Sequence, residues 1–415
     1  MMAYRLPAEG PESTRLTPAE GWAIAVVATL VMSISYIDRQ TFSVLSPTVS
    51  AALHLGPAQY GLLAAAFSVA YLAAAPIAGW RMDRAGARGG LIASLLFWSL
   101  VSAGHAFAGS FVSLFALRVA LGFAESPSFP GAAQAVRRAL PPRQRSAGFG
   151  MLFTGSSLGA MIAAPLAIFF NRHFGWNFAF LGTAVVGLAW IPVWILVTRH
   201  PEARRALAPP SGDQPKPSGR GVLALLGEGA VLRGLLLVLV SAPTMNFALN
   251  WLPKYLVAER GLTQDSLAAY LWAPPLSFDL GSVGFGILAT LRKGVKRDLV
   301  LAAATLCATM ALMPLAKLPA WTVAFASSSV AGCGALFGLL TADMLARIDG
   351  PRVASAGGLC AAAQSIAYVV ANVVVGLVLS RTGSYAGVLF TLGALVLPGA
   401  IVWTLWPVRA LDTRG

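Results

Sequence analysis

The chain is short of charged residues and has very few cysteines and histidines, and each shortage excludes a class of protein. Only 11% of its 415 residues are charged, against 57% hydrophobic, which is too little polar surface for a water-soluble globule of this length. Its three cysteines, Cys307, Cys333 and Cys360, fall inside apolar runs without C-x-x-C spacing. Neither a disulfide framework nor a metal site is expected, and packing is their expected role. His54, His105, His173 and His200 fall in expected loops or helix ends, which argues against a histidine proton relay. The Ser-, His- and Cys-containing segments carry no nucleophile motif, and no phosphate-cradling loop is present. No enzymatic function, ATP hydrolysis or cofactor is therefore expected.

What is abundant is apolar sequence in long runs. Mean hydropathy is +0.72, and runs of about 20 residues suit helices crossing about 30 Å of hydrocarbon. Strands of a membrane barrel would alternate polar and apolar residues, and these runs do not. Polar breaks define twelve expected helices, at about 19–50, 58–81, 88–108, 111–138, 146–170, 177–198, 229–258, 264–291, 297–316, 320–346, 352–380 and 384–408. The first 18 residues are polar and include Pro7, Pro11 and Pro18, so the first helix itself is expected to insert without a cleavable signal.

Acidic residues number 16 against 30 lysines and arginines, for a net charge of +14. The basic residues sit in alternate loops: Arg81, Arg84 and Arg88; Arg137, Arg138, Arg143 and Arg145; Arg199, Arg204, Arg205, Lys216 and Arg220; Arg292, Lys293, Lys296 and Arg297; Arg347 and Arg352. This placement follows the positive-inside rule, so the excess reports topology and no nucleic-acid partner is expected. It predicts a multi-pass protein of the bacterial inner membrane with both termini in the cytoplasm. The longest break, His200 to Gly227, carries Pro209, Pro210, Pro215 and Pro217 and reads as a cytoplasmic linker. The expected plan is an all-α membrane protein with an N-terminal six-helix half over 1–199, a linker over 200–228 and a C-terminal six-helix half over 229–415. A weak echo between Gly79–Arg88 and Gly286–Arg297, with Thr290 in the place of Asp83, supports pseudo-symmetric halves. Transporters of that plan hold their substrate between the halves near the midplane.

Asp38, Arg39, Arg118 and Glu125 lie well inside the expected spans. Each costs about 2.5 to 3.5 kcal/mol at a bilayer centre on insertion scales, so such groups pair, face water or perform work. Arg118 and Glu125 are seven residues apart, nearly on one helix face and about 10.5 Å apart along the axis. Arginine suits a carboxylate because its planar fork bonds both oxygens and keeps its charge. A substrate competing for that arginine changes the proton affinity of a nearby acid, which is a physical route to symport. Two readings stand for Asp38 and Glu125: proton carriers, or permanent ion pairs with Arg39 or Arg118 that join helices 1 and 4. Arg39 is the favoured carboxylate anchor, whereas Arg118 is equally a carboxylate anchor or the partner that tunes Glu125. Asn246 and Asn250, four apart on helix 7, either meet substrate from the C-terminal half or bond to a neighbouring helix. Asp279 either lines the cavity or caps a break near Pro274 and Pro275.

The segment Gly79-x-x-x-Asp83-Arg84-x-Gly86-x-Arg88 resembles the signature loop between helices 2 and 3 of the major facilitator superfamily. A small Gly79 permits close helix approach, Gly86 a tight turn, and Asp83 can pair with basic groups across the cytoplasmic face as a latch favouring the outward-facing state. The segments Ser35–Gln40 and Leu117–Pro130, with Tyr71, resemble the anion:cation symporter family of bacterial hexuronate and galactonate transporters and animal sialic-acid and organic-anion carriers. Asn250–Leu256, Asp279–Ser282 and Thr382–Tyr385 extend the resemblance over nearly the whole chain.

That resemblance implies the major facilitator fold and a proton-coupled symporter importing an organic anion by alternating access, with protons and membrane lipid as its other partners and a monomer as its state. It implies proton coupling at Asp38 and Glu125. Substrate contacts are implied at Arg39, Arg118, Tyr36, Tyr71, Ser156, Asn246, Asn250 and Gln364; packing is the competing reading for the two tyrosines. Sugar-acid members carry a larger amide near Ser156 and often an asparagine near Gln364, and helix 10, Ala331–Phe337, lacks their hydroxyl and tryptophan pattern. The carboxylate end of the site is retained while the polyol end is thinned, so the expected substrate is a hexuronate or aldonate, or a less hydroxylated carboxylate. The glycine-rich stretch Gly148–Pro165 also fits a proton-driven exporter of lipophilic compounds.

Overall fold

The computed structural model describes residues 16–209, 224–345, 347 and 350–406, and among them the chain is helical without a β-strand. Helix α1, Pro18–Val44, opens on a capping box: the Glu20 amide donates to Thr17 Oγ1 at 3.3 Å, and the Thr17 amide donates to Glu20 Oε2 at 2.9 Å. The box satisfies N–H groups that the first turn of any helix leaves open. A short α2, Ser46–Ala52, precedes α3, Pro57–Gly104. Gly86, at φ 72°, is a non-helical kink inside α3. That left-handed conformation favours glycine.

Helices α4, Phe111–Glu125, and α5, Ser128–Ala139, stand where one helix is expected. Pro127 lacks an N–H to continue the ladder, and the chain divides there. Then follow α6, Pro142–Phe174, α7, Trp176–Val197, and α8, Pro201–Leu207. The second group is α9, Gly229–Asn250; α10, Leu252–Arg260; α11, Ala273–Leu291; α12, Arg297–Ala308; α13, Pro319–Leu345; α14, Gly350–Thr382; and α15, Ala386–Leu405. The expected linker is helical at its start in α8, and its residues 210–223 lie outside the described residues, as do both termini.

Ten stretches among the described residues are long and apolar enough to cross a bilayer. The expected helices 4 and 8 are not among them: helix 4 is divided at Pro127, and α11, long enough at 19 residues, is less apolar because it carries Pro274, Pro275, Asp279 and three glycines. Large apolar side chains such as Phe107, Val112, Leu196 and Phe390 are exposed, whereas Asp38, Arg118 and Glu125 are buried. That inversion suits a hydrocarbon solvent.

The helices before residue 200 meet those after residue 228 at the end of the bundle where α1 stops and α3 starts. There Ser43 donates to the Leu249 carbonyl at 2.5 Å, Tyr60 to the Asn250 carbonyl, Lys254 Nζ to Ser50 Oγ at 2.6 Å, and Gln264 Nε2 to the Val44 carbonyl at 2.8 Å. A Cβ on Gly61 would collide with the Asn372 carbonyl, so α3 and α14 touch backbone to backbone. Away from that end, Ser157 on α6 donates to Asp279 on α11 at 2.9 Å. Asp279 lies mid-helix and caps nothing, because Pro274 and Pro275 form the first turn of α11.

Candidate functional site

Little more than one turn of α1 delivers Ser35, Tyr36, Asp38 and Arg39 to the interior of the first helix group. Glu125, at the end of α4, accepts from Arg39 Nε at 2.7 Å and from Ser35 Oγ at 2.9 Å on the same oxygen, Oε2. Ser35 and Arg39 are four apart and so share a helix face, which lets one carboxylate hold both. Asp38, on another face, accepts from Ser102 of α3 at 2.9 Å. Of the two arginines open as its partner, Glu125 pairs with Arg39 and not with Arg118 on its own helix, because its carboxylate turns toward α1.

Arg118 is 3% exposed, and its Nε and Nη1 have no hydrogen-bond partner among the described residues. Its guanidinium lies 4.5 Å from the Phe42 ring centroid and 4.8 Å from that of Phe67. The Arg39 guanidinium lies 4.9 Å from the same Phe67 ring, 4.6 Å from Tyr71 and 5.1 Å from Tyr36. Phe67 thus touches both cations, and such contacts are worth up to about 2 kcal/mol when desolvated. The approach of α4 to α3 that builds this arrangement needs Gly122, where a Cβ would strike the Phe67 carbonyl and Ala70.

A buried donor without a partner costs about 1 to 3 kcal/mol, more when charged. Arg118 carries two such donors; Arg39 Nη2, Glu125 Oε1 and Asp38 Oδ2 are also unpartnered among the described residues. A carboxylate delivered to this group would satisfy the arginine donors, and a proton on either acid would relieve an oxygen. No cluster of three histidine, cysteine or acidic side chains able to hold a metal occurs among the described residues.

The other expected site residues divide. Ser156 on α6 lies close to the Tyr36 hydroxyl, which brings it to the arginine group. Gln364 on α14 donates to the Tyr368 hydroxyl at 3.3 Å, and Tyr368 in turn lies near Tyr36 and Arg39. Tyr368 and Phe67 escape a reading of the sequence; the signal for Tyr368 is a phenol four residues after Gln364. Asn246 is fully buried and donates to Asn372 Oδ1 at 2.9 Å, which also accepts from Trp251 Nε1 at 3.0 Å. Asn250 donates to Asn246 Oδ1 at 2.9 Å. These asparagines tie α9 to α14.

The loop from Gly79 to Arg88 forms its turn at Gly86, packed on the backbone of Leu207 and Pro209 beside α8. Arg88 donates to Thr198 Oγ1 at 3.1 Å, and the Arg84 guanidinium stacks 4.0 Å from the Trp80 ring centroid. The Asp83 side chain lies outside the described residues. Gly79 does not mediate a close helix approach, since a Cβ there would meet nothing within 4 Å.

Residues 28–371 match the family model for the Major Facilitator Superfamily. The chain is 28% identical to a hexuronate transporter of Bacillus subtilis over 380 residues, 88% of this chain and 89% of that one. It is also 28% identical to a probable sulfoacetate transporter of Cupriavidus necator, covering 90% of this chain and 91% of the relative. Among solved structures, an inward-facing, occupied bacterial homologue of the human lysosomal transporter Spinster superposes with a TM-score of 0.74 at 17% identity, over 94% of this chain and 96% of that one. A POT family transporter in complex with a thioalcohol-conjugated peptide gives a TM-score of 0.77 at 13% identity, over 93% and 95%.

Proposed function

Since this chain belongs to the Major Facilitator Superfamily, a family of transporters and not of enzymes, we propose that it imports an organic anion across the bacterial inner membrane together with protons. The observation that carries this reading is Arg118: a buried guanidinium with two unpartnered donors, next to an Arg39–Glu125 ion pair. Names of the relatives support an acid as cargo, since they include hexuronate and sulfoacetate transporters. The fold in this reading has twelve helices in two six-helix halves joined by the linker over 200–228, and it works as a monomer with both termini in the cytoplasm.

Transport proceeds in our reading by rocking of the halves about the charged group. With α1 running from cytoplasm to periplasm, the hydrogen-bonded end around Ser43, Tyr60 and Lys254 is the periplasmic seal. In the opposite state the seal parts and the loop from Gly79 to Arg88 latches the cytoplasmic side. Protonated Asp38 and Glu125 then receive the anion, whose carboxylate binds Arg118. Glu125 releases Arg39 when it takes a proton, so proton and substrate occupancy change the same contacts. Arg39 is thereby the partner of the proton site and Arg118 the anchor.

The alternative, an exporter of lipophilic compounds, drew on the glycines of helix 5. A Cβ at Gly155 or Gly159 would collide with the α1 backbone, so close helix packing accounts for those glycines. The buried Arg118 and the partly buried Arg39 also disfavour a cationic drug.

The test is uptake into proteoliposomes under an imposed pH gradient. Glu125→Gln is expected to abolish gradient-driven accumulation and to keep substrate counterflow, which needs no net proton movement. Accumulation that still follows the pH gradient in this variant would refute the coupling role.

A further inference from the structure

The Tyr368 hydroxyl joins the arginine group to a second space. Gln364, which bonds Tyr368, also lines a cavity of about 30 Å³ between α9, α11, α13 and α14. Its walls are chiefly apolar, with Leu237, Met245, Phe278, Leu336 and Phe337 among them. Ser241 also lines it, but its hydroxyl is turned back to the Leu237 carbonyl at 2.6 Å. Among the described residues lining it, Gln364 is therefore the amide on an otherwise hydrocarbon and sulfur surface, and its nitrogen is given to the Tyr368 hydroxyl.

Phe337 extends this surface into a row of rings across the two helix groups. It lies 6.0 Å from Phe278 and 5.9 Å from Phe153, which lies 5.8 Å from Phe129, centroid to centroid. The tilted and edge-on angles of 42° to 62° suit further aromatic contacts. Resting on the reading that Arg118 holds a carboxylate, we infer that this cavity is the subsite for the body of the substrate and that the cargo is an aryl carboxylate, not a sugar acid.

A hexuronate brings several hydroxyls, and each one buried without a partner costs about 1 to 3 kcal/mol. The asparagines of the later helices, Asn246, Asn250 and Asn372, are bonded to one another. An aromatic ring brings no such demand and gains contact with Phe337 and Phe278. The space at 30 Å³ is smaller than a ring, so entry requires Met245, an unbranched side chain suited to yielding, to rotate away. Gln364 and Tyr368 then stand at the boundary between carboxylate and ring, where they can bond the second carboxylate oxygen.

The experiment is a titration of the purified full-length protein with 4-hydroxybenzoate, phenylacetate, D-galacturonate and D-galactonate, read by isothermal calorimetry and thermal shift. Wild type is expected to bind the aryl acids at least tenfold tighter than the sugar acids. Phe337→Leu, which keeps apolar volume and removes the ring, is expected to lower the ratio of aryl to sugar-acid affinity by about threefold to tenfold. A merely structural role for Phe337 would move both affinities together. Tighter binding of the sugar acids, or an unchanged ratio in the variant, overturns the aryl assignment and leaves the anion reading standing. Binding of neither class also overturns the aryl assignment, while the anion reading is decided separately by the uptake assay.

Discussion

Arg39 on α1 donates from Nε to Oε2 of Glu125 on α4 at 2.7 Å, across two helices, and the Glu125 side chain is wholly buried. Breaking a buried pair from one side leaves an uncompensated charge and costs about 3 to 5 kcal/mol. Arg39→Gln is therefore expected to lower thermal stability in detergent by that order, and Arg39→Gln with Glu125→Gln to recover most of it. A double-mutant cycle on melting temperature measures the coupling. Additive losses would mean that the pair does not hold α1 to α4.

Arg118 makes a different prediction because its fork is uncommitted. Lysine keeps the charge but loses the planar pair of donors and the stacking on Phe42 and Phe67. Arg118→Lys is expected to weaken anion binding by about tenfold to a hundredfold, or about 1.4 to 2.8 kcal/mol, with little change in melting temperature. Calorimetric titration with the tightest ligand of the wild type decides it: an unchanged affinity would move the anchor elsewhere.

The charged residues of this site were legible because ionisable groups stand out in apolar sequence. Their pairing was not: a seven-residue spacing put Arg118 and Glu125 on one face, and the side-chain direction that turns Glu125 to α1 leaves no mark in spacing. Phe67 and Tyr368 were invisible for a related reason, since one aromatic among many gains meaning only when neighbouring helices fix what it faces. Pro127 was legible as a residue but not as a break, because membrane helices often tolerate proline. Gly79 misled in the opposite direction. Its motif position suggested close packing, and nothing packs there.

A second buried charge group lies in the later helices. Arg233 on α9 bonds Asp343 Oδ2 on α13 and lies 4.1 Å from the Trp403 ring centroid on α15, and Arg347 Nε donates to Asp343 Oδ1 at 2.8 Å. Asp343→Ala leaves Arg233 buried without its acid and is expected to destabilise the protein by about 3 to 5 kcal/mol. Asp343→Asn, which keeps an acceptor, is expected to lose less. Thermal denaturation of both variants measures this, and equal small losses would make the group a surface-like pair.

Lys254 gives the sealed end of the bundle a pH dependence whose sign can be fixed. It lies on α10, beyond the span Gly229–Asn250, where it bonds Ser50 and stacks 4.8 Å from the Tyr60 ring centroid. Burial there pushes its ammonium from an ordinary 10.5 down to about 8. When the ends part, Lys254 returns to water and its ordinary value, so sealing releases protons. Below about pH 8 the sealed state carries the whole penalty, and as pH rises from 8 toward 10.5 the penalty fades. Raising pH from 7 to 9.5 is therefore expected to increase the sealed population, and Lys254→Met to remove that dependence. Gly61→Val supplies the opposite control, since its side chain collides with the Asn372 carbonyl and should hold the seal open at every pH. Distances between spin labels on α2 and α10 read the populations directly. A sealed fraction that falls with rising pH would show that the lysine does not govern this end, and one that persists in Gly61→Val would show the same for the backbone contact.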